Sequence, residues 1–315
     1  MPNVLNCNSA TRILMFHRLM DDMSTAFGLP SSYRIRGTSV TLSEFRVVLR
    51  LVGEVLPLAE IETALREGRT PPRGAVLSFD DGYREHLDQI APLLAEFGGT
   101  GVFYVMGGIH GESSRCAVVD VWYWLLDNAQ QRYAQIATAS GETLRGRVDT
   151  LDGKREWVLG DPKKALLTAS SAQQQQMLRE LSESLGCQAP SQLARMLYLK
   201  PSEWTGLSDL GMRVGAHSMT HARLSTIDAK SSGTEIVESV AAITPSPFGT
   251  PFSYPDGDWN LGILRKTRAA GASSAVTCDA RPVQAGDSAW AIPRFNVTSE
   301  LIRSEANGCR RPHTF

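Results

Sequence analysis

Cysteine is scarce in this 315-residue chain, and the five that occur (Cys7, Cys116, Cys187, Cys278 and Cys309) are scattered and never spaced as C-x-x-C. That pattern argues against a disulfide framework or a zinc ribbon and for a reducing compartment. Charge of one sign is also missing. The 32 basic and 33 acidic residues leave a formal net charge of −1, so no global field recruits nucleic acid or anionic lipid, and a neutral or weakly charged substrate is expected. Long apolar runs are absent too. The stretch 13–16 is followed at once by His17 and Arg18, and nothing approaches the ~20 apolar residues of a membrane span. Without a basic region leading into a long apolar one near the N-terminus, the sequence reads as cytoplasmic. No internal repeat is visible. A chain 42% hydrophobic and 21% charged has enough apolar residues for one large domain or two smaller ones.

What is present centres on residues 75–82, Ala-Val-Leu-Ser-Phe-Asp-Asp-Gly. A short apolar run ends in two adjacent carboxylates, Asp80 and Asp81, and a helical pattern begins at about Tyr83, so the acids sit where a strand gives way to a loop. Alone, the stretch is read equally well with Asp81 as a helix N-cap and Asp80 as a solvated loop residue. A second stretch, 215–221, carries His217 and His221. Four residues apart, the two imidazoles point to one side of a helical turn or tight loop, although an isolated H-x-x-x-H is weak evidence of a metal. Both stretches follow apolar strands preceded by helices. In a parallel α/β fold that places them on the same face, at the carboxyl ends of the strands. Two histidines and one carboxylate form a three-ligand set with coordination positions left open, which is the pattern of a catalytic zinc-type centre.

The remaining elements follow a βαβ rhythm that favours parallel strands. Residues 12–17 read as a first strand with a histidine at its end, and Thr41 with Glu44 forms a capping box for a helix over about 42–52, Val40 and Phe45 being placed as a staple. A helix is expected over 83–97, stopped by Gly98 and Gly99, then a strand over 100–106. Residues 107–201 break the rhythm and are read as a mostly helical insertion in a single domain spanning 1–315. Within it, Trp122, Tyr123 and Trp124 read as core in preference to a sugar platform. A hairpin is expected over 143–159 around Asp152 and Gly153, and a helix starting at Asp161 and Pro162 closes at Gly186. The rhythm resumes with a strand over 212–216, helices near 235–243 and 261–270, a strand over 273–277 and a last apolar segment, 290–297. His86 and His110 are assigned to a solvated helix and a loop.

At this point the sequence resembles the polysaccharide deacetylases that share the chitooligosaccharide-deacetylase homology domain, carbohydrate esterase family 4. The family's first motif, T/S-F-D-D-G, stands as Ser78-Phe79-Asp80-Asp81-Gly82, and its second, H-S/T-x-x-H, as His217-Ser218-Met219-Thr220-His221. The resemblance covers most of the chain outside 107–201. It implies an irregular (β/α) barrel of about seven parallel strands. The enzyme it implies is a metal-dependent hydrolase that removes an N-acetyl or N-formyl group from an amino sugar in a glycan, lipid-linked sugar or nucleotide sugar, in cell-surface polysaccharide biosynthesis. Asp81, His217 and His221 would hold a divalent metal, zinc with cobalt or nickel as alternatives, and Asp80 would be the general base.

The chain departs from the family pattern in two places. Ser253 stands where the third motif often has arginine, so Asp80 is expected to lack its cationic partner. The run 252–257 instead matches a variant in which the Asp256 amide donates to the oxyanion and Tyr254 lines the site. No L-x-H motif appears near the C-terminus, where His313 is a poor substitute, and Met15-Phe16-His17 matches a permuted version that makes His17 the general-acid candidate. The competing assignment for His17 is a hydrogen-bonded strand-end histidine. Arg294 either contacts substrate or pairs with a carboxylate. The competing readings of the whole are a glycan-binding homologue without turnover and a hydrolase of a non-sugar amide.

Overall fold

The computed structural model describes residues 4–21, 25–113, 115–244 and 246–308; His313 and Cys309 lie outside them. Seven strands form one sheet: β1 (Thr11–Phe16), β2 (Gly74–Phe79), β3 (Val102–Val105), β4 (Arg213–Ala216), β5 (Pro251–Ser253), β6 (Ser274–Val276) and β7 (Phe295–Asn296). Their order is β6-β5-β4-β3-β2-β1-β7, and every pairing is parallel. The sheet curls into an irregular barrel. Its open side is laced by residues 289–297. Ile292 bridges Val276 at one edge, while Phe295 pairs with Leu14 of β1 at the other and the Val297 amide donates to the Met15 carbonyl, 2.9 Å.

Alternation along the strands divides the apolar residues into two sets. Leu77, Phe79 and Phe103 face outward and pack with Phe45 and Ile90 from the helices, whereas Ile13, Val76, Val102 and Tyr104 fill the barrel interior. Burial on both faces explains why these strands read as unbroken apolar runs. Gly215 in β4 is needed for the interior packing, because a Cβ there would lie 2.6 Å from the Tyr104 ring and 2.7 Å from the Pro251 carbonyl.

The capping box is present: Thr41 and Glu44 exchange hydrogen bonds at the start of the helix Leu42–Leu51. After β2, the expected helix begins late. A π-helical turn, His86–Ile90, leads into Ala91–Glu96. His86 is fully buried there against Phe79 and Phe103, which corrects its assignment to a solvated helix. His110 stays in a loop, its Nδ1 accepting from the Glu112 amide at 3.3 Å.

Residues 107–201 hold five helices and a hairpin around a core of their own. The hairpin is not where the turn residues Asp152 and Gly153 suggest. It pairs Tyr133–Ala137 with Thr143–Arg147, and Gly141 at φ +85° shapes the turn. Asp152 and Gly153 begin the helix Leu151–Leu159, because the Thr150 hydroxyl caps the Gly153 amide and gives that segment a helix start signal. The next helical stretch is two helices, Asp161–Thr168 and Ser171–Leu185, the second with a capping box at Ser170 and Gln173 and a left-handed stop at Gly186. Trp122 and Tyr123 are core, and the Trp122 indole donates to the Trp157 carbonyl at 2.9 Å.

Candidate metal and catalytic site

The loops after β2, β4 and β5 converge at the carboxyl end of the barrel. Asp81 and Gly82 follow β2 with φ of +76° and +70°, and in the loop after β4 Ser218 and His221 both sit at +59°. Left-handed backbone at residues with a Cβ costs roughly 1–3 kcal/mol each. The cost is offset by a dense set of loop contacts. Glu235 accepts from the Met219 and Thr220 amides at 2.8 and 2.9 Å, the Ser218 hydroxyl accepts from the His221 amide at 2.9 Å, and the loop after β3 donates from Gly107 and Gly108 to the Ser218 and Met219 carbonyls. Gly82 lies so close to Val105 that a Cβ would approach it to 3.1 Å.

Asp81, His217 and His221 come together with one ligand atom from each within 4.8 Å of the others. The Asp81 Oδ1 atom is 3.4 Å from His217 Nε2 and 3.5 Å from His221 Nε2, and it is buried without a hydrogen-bond partner. An orphaned, buried carboxylate oxygen is costly unless something positive meets it. His217 Nδ1 lies 2.8 Å from the Ser253 carbonyl. Donation there leaves the Nε2 lone pair for the shared space. Burial pushes the Asp81 carboxyl up, but His217, His221 and His17 outweigh it and hold the group well below the usual carboxylate range. Burial likewise lowers His217, and Asp80 and Asp81 reverse that to a net rise. The site attracts a cation, and its donor set fits a divalent metal.

Asp80 is almost fully buried, and its supposed lack of a cation is corrected by the structure. Arg294, wholly inside the barrel, grips it in a bidentate pair, Nη1 to Oδ1 and Nη2 to Oδ2, both 2.8 Å. The guanidinium is held in turn by the Thr277 carbonyl (2.9 Å), the Ser253 hydroxyl (2.9 Å) and the Ser78 hydroxyl (3.3 Å). Ser253 therefore makes room for an arginine supplied by the segment that closes the barrel. With all these donors occupied, Arg294 is a partner of Asp80 and is not a group that faces substrate. Burial raises the Asp80 carboxyl, but Arg294 and then His217 bring it below the usual range.

His17 ends β1 beside these groups. Its Nδ1 is buried without a partner, its carbonyl accepts from His86 Nε2 at 2.7 Å, and burial lowers its pKa against the pull of Asp81 and Asp80. Tyr254 does not line the site. Ser253 points into the barrel, so the next side chain points out, and Tyr254 is buried between Phe252 and Trp259 with its hydroxyl on the Trp290 carbonyl, 3.0 Å. Asp256, exposed and at φ +54°, forms the turn Pro255–Gly257 above the site.

Groups without a local signal complete the surroundings. Tyr83, two residues beyond Asp81, shares the buried carboxylate of Asp120 in the insertion with Tyr33 and Tyr198. Arg18 lies 4.8 and 4.5 Å from the ring centres of Tyr33 and Tyr83 and pairs with Glu85 at 2.5 Å.

No family model matches the sequence, and no curated protein does either. Solved structures do. The deacetylase PplD of Streptococcus pyogenes, in complex with acetate, matches with TM-score 0.54 over 96% of this chain and 99% of its own at 14% identity. IcaB from Ammonifex degensii matches at 0.55 over 96% and 97%, also at 14%. The chain has the polysaccharide deacetylase fold. A de-N-acetylase from Aggregatibacter actinomycetemcomitans shares it, with TM-score 0.53, 14% identity, 94% of this chain and 99% of that one. In this fold the two motif loops lie side by side at the carboxyl end of the barrel, where the Asp81, His217 and His221 cluster is found.

Proposed function

We propose that the protein is a metal-dependent hydrolase that removes an N-acetyl or N-formyl group from an amino sugar, carried on a glycan, a lipid or a nucleotide, in cell-surface polysaccharide biosynthesis. The observation that carries this reading is the adjacency of two differently committed carboxylates: Asp81 facing two histidines and Asp80 locked to Arg294. Asp81, His217 and His221 would hold zinc, cobalt or nickel. When bound, the ion supplies Lewis acidity toward the acyl carbonyl and lowers the pKa of water.

The chain's own residues do the rest. Asp80, kept ionised by Arg294, takes the proton of the attacking water, and the fixed guanidinium holds the carboxylate in one orientation. His17 delivers a proton to the leaving amine; its lowered pKa makes it a readier donor once it carries the proton. The Asp256 amide is the candidate oxyanion donor from the loop after β5. The scattered cysteines, free among the described residues, support a cytoplasmic setting. The case for a binding protein without turnover rested on a missing arginine, and Arg294 removes it. Stripping the protein with a chelator should abolish acyl release, and reloading with zinc, cobalt or nickel should restore it. Undiminished release from metal-free protein would overturn the reading.

A further inference from the structure

The insertion contains two buried lysines that are treated very differently. Lys154 is fully buried and fully answered: its ammonium lies 2.9 Å from Asp127, 2.9 Å from the Thr25 hydroxyl and 2.8 Å from the Pro30 carbonyl. Lys163, 8% exposed, has no carboxylate partner among the described residues. Its ammonium meets the Tyr123 hydroxyl and lies 4.7 Å from that ring's centre. Tyr123 packs edge-on against Tyr33 at 5.0 Å, and Tyr33 in turn packs against Tyr83, two residues beyond Asp81.

Lys163 thus stands at the carboxyl end of the barrel, on the insertion's side of the metal-ligand loop. Three charges lie within electrostatic reach. Burial is the main influence on the Lys163 ammonium, Arg36 comes next, and both push its pKa down, to about 8, while Asp256 and Asp120 pull it up more weakly. Arg36 is exposed, in the last turn of the helix Ser32–Arg36. Asp120 is already committed to three tyrosine hydroxyls. The stronger neighbour of this buried cation is therefore another cation, an arrangement that disfavours both charges and that a bound anion relieves. A lysine with free donors in a part-desolvated setting is a point-charge binder of oxyanions.

We propose that Lys163, with Arg36 and the Tyr123 hydroxyl beside it, binds an anionic oxygen group of the substrate next to the Asp256 turn. The group is a phosphate that joins the amino sugar to its carrier, or a carboxylate on the sugar itself. This inference rests on the deacylase reading and narrows its substrate class. It also refines the expectation drawn from net charge, since a local pair of cations sets preference where the global field is null.

The test is calorimetric binding to the metal-loaded protein of three deacylated sugars that cannot turn over: glucosamine 1-phosphate, muramic acid and glucosamine. The phosphate, the carboxylate or both should bind at least tenfold tighter than glucosamine, and which of them does so identifies the source of the anion. Lys163→Met should erase the preference and Lys163→Arg should keep most of it. Arg36→Ala, at an exposed position, should reduce the preference without burdening folding. Equal affinities for the three sugars, absence of binding included, or a preference that both Lys163→Met and Arg36→Ala retain, would overturn the proposal. Acyl release is a separate readout. Release without anion preference defeats only this inference, and preference without release defeats the deacylase reading.

Discussion

The Asp80–Arg294 pair is where the chemistry and the stability of this site meet. An aspartate buried to this depth is tolerated because two parallel N–H donors satisfy both of its oxygens. Asp80→Asn should lower acyl-release kcat/KM by about 10³-fold, in the range expected for loss of a general base, with metal content at Asp81, His217 and His221 unchanged. Near wild-type turnover would remove Asp80 from the mechanism. Arg294→Met leaves the carboxylate buried and unpaired, and urea unfolding should show a loss of about 3–5 kcal/mol. Arg294→Lys, which cannot form the bidentate fork, should recover only part of that loss. The four motif residues were legible in the sequence because each group is local, an adjacent pair and an i, i+4 pair. Arg294 was legible only as a candidate. Its partner is 214 positions away, and nothing near it distinguishes a barrel-closing arginine from a substrate contact. Tyr254 was misplaced by one step of strand alternation.

At the scale of elements, local rules succeeded where the signal was a cap and failed where it was a turn. The Thr41–Glu44 box predicted its helix closely because two orphan amide donors are satisfied by two named side chains. The pair Asp152-Gly153 suggests a hairpin turn equally well in isolation, and only the Thr150 hydroxyl decides for a helix. The late start after β2 and the burial of His86 come from packing beneath His17, which no local pattern records. Glu44 does more than cap. Burial raises its carboxyl, but hydrogen bonds from Arg34 and the Thr41 amide, joined by Ser299, bring it from the usual 4.5 to about 2. A carboxylate with a depressed folded pKa contributes stability that is complete above about pH 4.5 and is lost as pH falls toward about 2. Glu44→Gln should therefore lower the melting temperature at pH 6 and narrow its difference from wild type between pH 4.5 and 2. A constant difference across that range would contradict the assignment.

For the whole molecule, the barrel's irregularity is also its mechanism of assembly. Seven parallel strands bring the carboxyl ends of β2, β4 and β5 together, and the segment 289–297 closes the remaining side while delivering Arg294 to the interior. The interior itself depends on Gly215. Gly215→Ala should be destabilised by about 1–3 kcal/mol, as overpacking typically is, because neither the Pro251 carbonyl nor the Tyr104 ring has room to retreat. The parallel α/β class was readable from the rhythm of apolar runs and caps. The insertion was readable as an interruption, but its architecture was not, since its core is built from contacts between elements far apart in sequence. Among the described residues no helix is long and apolar enough to cross a membrane, so the site is presented by a barrel and an insertion alone.

The most direct test of the account is acetate and formate release from a panel of N-acylated amino sugars, sugar phosphates, nucleotide sugars and short glycans, comparing metal-loaded wild type with Asp80→Asn. Release from at least one of them that needs the metal and collapses in the variant is the predicted result. No release from any, with one metal ion bound per chain at Asp81, His217 and His221, would contradict it.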